Sequence, residues 1–152
     1  MKTYFAIAIS TVMLATPSAA LAGHLTYTTT GGESVTVGTT APGTGRLIQG
    51  GMQSGTSVST AEDGTKINER WTCISTTQPP NAKIFDVHSL CDVSNSKGTY
   101  TITFGCTFTG SDGAMGCLGG LYGKTGWYQG KGGGTTWMGL NGSGTGTSQW
   151  TD

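Results

Sequence analysis

Residues 98–110, GTYTITFGCTFTG, set Tyr100, Ile102, Phe104, Cys106 and Phe108 against Thr99, Thr101, Thr103, Gly105, Thr107 and Thr109. An apolar side chain at every second position marks a strand with one face buried and the other wet. A helix would need an apolar stripe with a period of about 3.6 residues. Beyond residue 22, Gly, Thr and Ser interrupt almost every window long enough for three helical turns. The 27 glycines divide the chain into short extended runs. The chain therefore reads as all-β.

The same alternation recurs, more loosely, on both sides. In KIFDVHSLCDV, Phe85, Val87, Cys91 and Val93 share one face, and Asp86, His88 and Asp92 the other. In KINERWTCIS, Ile67, Glu69, Trp71 and Cys73 share a face. Asp63-Gly64, Asp112-Gly113 and Asn141-Gly142 supply positive-φ turn residues between strand-like runs. HLTYTTT and ESVTVGT flank Gly31-Gly32 and read as a hairpin, and further strands fall at Arg46 to Gln53, Met115 to Tyr122, Gly126 to Gln129, Thr135 to Leu140 and Gly144 to Trp150. Eight to ten short antiparallel strands suggest a small barrel of about eight strands, with a β-sandwich as the alternative. Closure favours the barrel, because it removes strand edges.

Lys2, the apolar stretch YFAIAISTVMLA and the small residues Ala20-Leu21-Ala22 follow the order of a secretory signal and its cleavage site. Residues 1–22 are expected to be removed, leaving 23–152 as one β-barrel domain, secreted or periplasmic. The apolar part is too short for a bilayer span, which takes about 20 residues. The whole chain has 8 basic and 8 acidic residues, so loss of Lys2 leaves it one unit negative. Nucleic-acid partners call for clustered Lys and Arg, and none are clustered here. Cys73, Cys91, Cys106 and Cys117 form an even set in an exported chain, which reads as disulfides. Three connectivities exist. Cys73 and Cys91 straddle the loop around Gln78-Pro79-Pro80-Asn81, and Cys106 and Cys117 straddle Asp112-Gly113, which favours Cys73–Cys91 and Cys106–Cys117. The spacings hold no Cys-x-x-Cys pair, so no zinc site is expected. No cofactor or metal is expected.

Gly123-Lys124-Thr125 ends like a phosphate-binding loop, but position 118 is Leu where that motif needs Gly, and the glycines that follow exclude the helix it must open. Instead, GGLYGKTGWYQGKGGGTTW resembles the glycine-rich signature of the small barrels grouped around allene oxide cyclase and dirigent proteins. The resemblance covers about a quarter of the mature chain. It implies an eight-stranded barrel with an apolar interior that steers cyclisation or coupling of a lipid or phenolic intermediate. No catalytic residue carries over from it.

Glu69 shares the parity of Ile67, Trp71 and Cys73. Inside an apolar barrel it would be a catalytic proton carrier. The preferred expectation puts it at a strand end, facing solvent or paired with Arg70 or Arg46. Asp86 and His88 stand at i and i+2 but share their face with Asp92, so His88 is expected at the surface. His24 is expected in a disordered end. Asn141-Gly142-Ser143 fits a glycosylation acceptor and, more simply, a hairpin turn. Trp71, Phe85, Tyr100, Phe104, Trp127 and Trp137 are the ligand-binding candidates, as aromatic walls of an apolar cavity. The first functional expectation is a small β-barrel that binds a small apolar or phenolic molecule without chemistry. The second is a cyclase or isomerase of the allene oxide cyclase and dirigent type, with Glu69 as its catalytic residue. The third is an exported protein-binding module, such as a hydrolase inhibitor.

Overall fold

A computed structural model describes residues 23–40, 42–43, 47–79 and 84–151. The signal segment, Arg46 and Asn81 lie outside the described residues.

Eight strands run in chain order: β1 (His24–Thr40), β2 (Leu47–Ala61), β3 (Lys66–Thr77), β4 (Val87–Asn95), β5 (Gly98–Phe108), β6 (Met115–Gly126), β7 (Gly132–Leu140) and β8 (Ser143–Thr151). Each pairs antiparallel with the next, and β8 pairs back onto β1 from His24↔Gln149 to Thr29↔Gly144, closing the barrel. The sandwich alternative is thereby excluded. His24 opens β1 rather than belonging to a loose end.

The observed strands differ from the sequence reading at several points: β2 runs on to Ala61, residues 127–129, expected in a strand, form the β6–β7 turn, and two strands continue through bulges. Gly31-Gly32 is no hairpin. β1 continues through it, with Gly31 opposite Gly55 and Ser34 opposite Gln53, so β1 carries one extra residue there. β6 likewise runs on to Gly126. Its register against β5 shifts where Thr99 faces Thr125 and Tyr100 faces Gly123, leaving Lys124 as the extra residue. A bulge reverses side-chain parity beyond it, so strands that look broken in sequence are continuous in hydrogen bonding.

Both disulfides follow the expected pairing. Cys73 stands opposite Cys91 and Cys106 opposite Cys117, with Cα separations of 4.0 and 4.1 Å, and all four side chains point inward. Two disulfides fit an oxidising extracellular or periplasmic compartment.

The barrel has unlike ends. At one, the β6–β7 turn folds under the strands and inserts Tyr128, which is 1% exposed, against Trp150 and Tyr100 with ring centroids 4.9 and 4.7 Å away. Gly123 permits this, because a Cβ there would overlap the carbonyl oxygen of Tyr128. The glycine run therefore serves to fold an aromatic plug beneath the barrel. The other end, where the β1–β2, β3–β4, β5–β6 and β7–β8 connections lie, holds the opening described next.

Candidate functional site

Inward residues of β3, β4 and β5 build most of a cavity of about 110 Å³ in the upper barrel. Trp71, Ile102, Phe104, Met115 and Trp137 form its walls together with the two disulfides. Trp71 lies directly across from Gly55, and a side chain at that position would occupy the space of its indole ring. Trp137 is fixed by its indole N–H, which donates to Thr29 Oγ1 at 3.0 Å. A wider vestibule of about 300 Å³ shares Gln53, Ser75, Met115 and Gly142 with the cavity and is otherwise lined by rim residues, including Ser34, Thr36, Gln49 and Asp112.

The cavity floor is polar. Glu69 is 5% exposed, which overturns the expectation of a solvent-facing strand end. The parity reading was the correct guide, and register supplies the reason. Glu69 sits opposite Ser57 of β2 and Asn95 of β4, so its carboxylate arrives between polar neighbours. The hydroxyls of Ser57 and Ser59 donate to Oε2 at 3.1 and 2.7 Å. Asn95 Nδ2 and the Tyr100 hydroxyl donate to Oε1 at 2.8 and 3.0 Å. Asn95 Nδ2 also donates to the Tyr128 hydroxyl at 2.7 Å, tying the floor to the aromatic plug. An ionised carboxylate has about four lone-pair directions, and four donors occupy them.

Among the described residues no Lys or Arg pairs with Glu69; Arg70, its neighbour in sequence, points to the opposite face of β3. The charge is held by neutral donors alone. Its field reaches the tyrosines. Burial, then the Glu69 charge, pushes the Tyr100 hydroxyl far above the usual tyrosine range. Tyr27 is pushed up to about 12, mainly by burial and further by the Glu69 charge, against the lowering effect of its hydrogen bond with Thr135.

A raised tyrosine pKa has a definite sign in stability. The unfolded chain releases the Tyr27 proton near pH 10, whereas the barrel retains it to about 12, so folding stability falls as pH rises through that interval. The loss reaches up to about 3 kcal/mol from Tyr27, with Tyr100 adding in the same direction. In rapid pH-jump experiments, phenolate absorbance of the buried tyrosines is expected to rise together with the collapse of near-ultraviolet dichroism. Gradual ionisation of those tyrosines with the dichroism intact would contradict this account of their environment.

Four of the six aromatic candidates, Trp71, Tyr100, Phe104 and Trp137, do line the cavity. Phe85 does not. It precedes the first residue of β4, so strand parity does not apply to it, and its ring covers Gly105 on the outer wall, edge-on to the exposed His88 at 5.6 Å. Trp127 also stands outside, on the β6–β7 turn, with the Lys131 ammonium 4.0 Å above its ring. Asp86 is no partner for His88, because its carboxylate accepts the Phe108 backbone N–H at 3.0 Å. Asn141-Gly142 forms the β7–β8 turn.

The sequence reading missed Ser57, Ser59 and Asn95. In TSVST the apolar residue is Val58, and the usual pattern would turn it inward; the structure turns it out and buries the serines. Only the register against Glu69 makes that choice intelligible. The chain matches no protein-family model, no curated protein and no solved structure.

Proposed function

We propose that this barrel is an exported carrier that holds a small apolar or phenolic molecule, about one aromatic ring in size, without changing it chemically. The observation that carries this reading is the pairing of apolar walls with a carboxylate whose acceptor positions are already filled. A general base must offer a lone pair to the substrate proton, and Glu69 has none left. The floor then acts as a rigid, saturated base on which an apolar ring rests. Size supports the same class of ligand: an apolar cavity of about 150 Å³ accommodates benzene. At about 110 Å³, with a vestibule above it, this one suits a single ring whose substituent points to the mouth.

The allene oxide cyclase and dirigent type of activity stands as the second reading, favoured by one observation. Glu69 and Tyr100 are buried together where the floor meets the cavity. Catalysis there requires one of the four donors to let go when substrate enters.

The test is calorimetric titration of the mature protein with toluene, phenol, benzaldehyde and a linear alkane of similar volume, alongside native mass spectrometry of protein taken from its export compartment. One-to-one binding of the ring compounds is expected, quenching tryptophan emission through Trp71 and Trp137. Met115→Trp, which fills the mouth, is expected to weaken it at least tenfold. Absence of saturable binding to every ring probe would sink the carrier reading. Chemical conversion of a bound probe, abolished in a folded Glu69→Gln protein, would replace it with the enzyme reading.

A further inference from the structure

The bulge at Gly31-Gly32 changes more than the outline of β1. Before it, Leu25, Tyr27 and Thr29 face the interior; beyond it, parity is reversed and Val35 and Val37 face out, 63% and 69% exposed. From Gly32 to Thr40 every residue is exposed, and β1 pairs only with β2. Its pairing with β8 ends at Thr29, and the β7–β8 turn closes off the edge at Gly31, whose N–H donates to Ser143 Oγ at 3.1 Å. Residues 32–40 thus form the outer strand of an arm on β2 that is two-stranded only at its tip, where residues 38–40 pair with 47–49, since from Gly50 to Gln53 β2 is paired with β3 as well.

The two edges of the arm are unlike. The β2 edge is occupied: β2 pairs with β3 from Gly50 onward, and Thr77 Oγ1 takes the place of a strand at Gln49, accepting its N–H at 2.9 Å and donating to its carbonyl at 3.1 Å. The β1 edge has no such partner among the described residues. From Ser34 to Thr40 it carries no Lys and no Pro, and its protections lie at one end only, in Glu33 and the bulge before Ser34. The inner side of the arm, with Ser34, Thr36, Gln49 and Gln53, is polar and lines the vestibule. The outer side is apolar, and cross-strand register continues it from Val35 to Met52, Ile74 and Leu90.

We propose that the free edge of β1 pairs antiparallel with the same edge of a second copy of this chain, across a two-fold axis at Thr36. A two-fold contact requires a surface that complements itself, and this edge does. With Thr36 opposite its own copy, each Val35 stands opposite the other chain's Val37, forming a four-valine cluster on the outer face. Ser34 meets Gly38, and Glu33 meets Thr39, so no like charges are opposed. Among the described residues, the seam covers the edge that β1 leaves unpaired beyond Thr29, outside the closed ring of strands. It lies at the rim of both vestibules, so the dimer joins two ligand mouths. The inference is independent of what the cavity binds.

Sedimentation velocity over a concentration series, to the near-millimolar range, tests it first. A concentration-dependent dimer is expected, and Val37→Lys is expected to raise its dissociation constant at least tenfold. Unchanged near-ultraviolet dichroism would show that this exposed substitution leaves the barrel folded. Register is tested by cross-linking. Opposed Cα atoms in an antiparallel pair lie about 4.5–5.5 Å apart, within disulfide reach. Thr36→Cys should therefore form a covalent dimer on mild oxidation, whereas Thr39→Cys, about 20 Å from its copy, should not. A monomer at every concentration, a dimer indifferent to Val37→Lys, or equal cross-linking at both positions would overturn the proposal.

Discussion

Alanine at all four cysteines is expected to leave the mature chain unfolded, whereas removal of either disulfide alone is expected to leave a folded barrel of lowered stability. The two bonds close loops with sequence separations of 18 and 11 residues. By loop-closure entropy each restricts the unfolded chain by about 3 kcal/mol. The loops share no residue, so the effects add to first order, to about 6 kcal/mol. Domains of this kind have only about 5–15 kcal/mol in total. Each single loss should lower the melting temperature by about 10 °C, and the double loss should abolish the cooperative transition in near-ultraviolet dichroism. Alanine is the right replacement, since serine would also place hydroxyls in an apolar wall. The larger fall is expected for Cys73–Cys91, whose loop is longer and whose residues pack on Trp71 and Ile102 in the main core. A four-alanine protein that melts cooperatively near the parent's temperature would show that the strands, and not the staples, carry the fold.

That result would also explain what was legible in the sequence. The alternation in β5 identified a half-buried strand, and the placing of the cysteines about the Gln78-Pro79-Pro80-Asn81 loop and the Asp112-Gly113 turn paired them, because a strand's two-residue period is rigid between bulges. Where a bulge intervenes, parity carries no further. Nothing local distinguishes Gly31-Gly32 as a bulge from Gly31-Gly32 as a turn; the choice is made by β8, which stops pairing at Thr29, and by β2, which continues opposite. Lys124 is the same case on β6. The aromatic candidates divide along the same line. Trp71, Tyr100, Phe104 and Trp137 lie within strands whose parity holds, whereas Phe85 precedes its strand and Trp127 follows its own. For Glu69, parity pointed inward and the general cost of burying a charge pointed outward. The decisive donors came from β2, β4 and β5, at positions that only register could align with it.

The floor of the cavity makes the sharpest demand on that register, and Glu69→Leu is expected to destabilise the barrel by about 3–5 kcal/mol. Removing the carboxylate leaves two serine hydroxyls, the Asn95 amide and the Tyr100 hydroxyl without their shared acceptor, each buried donor costing about 1–3 kcal/mol where it finds no substitute. Relief of the desolvation of a buried charge offsets part of this, which keeps the net below the sum. Glu69→Gln preserves shape but brings an N–H₂ against donors, with an expected cost of about 1–3 kcal/mol. The separating experiment is a combined variant, Glu69→Leu with Ser57→Ala, Ser59→Ala and Tyr100→Phe, which removes the acceptor together with three of its donors. If the donors left unpaired are the source of the loss, denaturant unfolding should show the combined variant recovering at least half of it, because an apolar replacement of matched shape is nearly neutral where a half-removed network is not. If instead the combined variant is less stable than Glu69→Leu alone, the hydroxyls stabilise the barrel through contacts other than Glu69. The saturated carboxylate would then no longer be the element that holds the cavity floor in place.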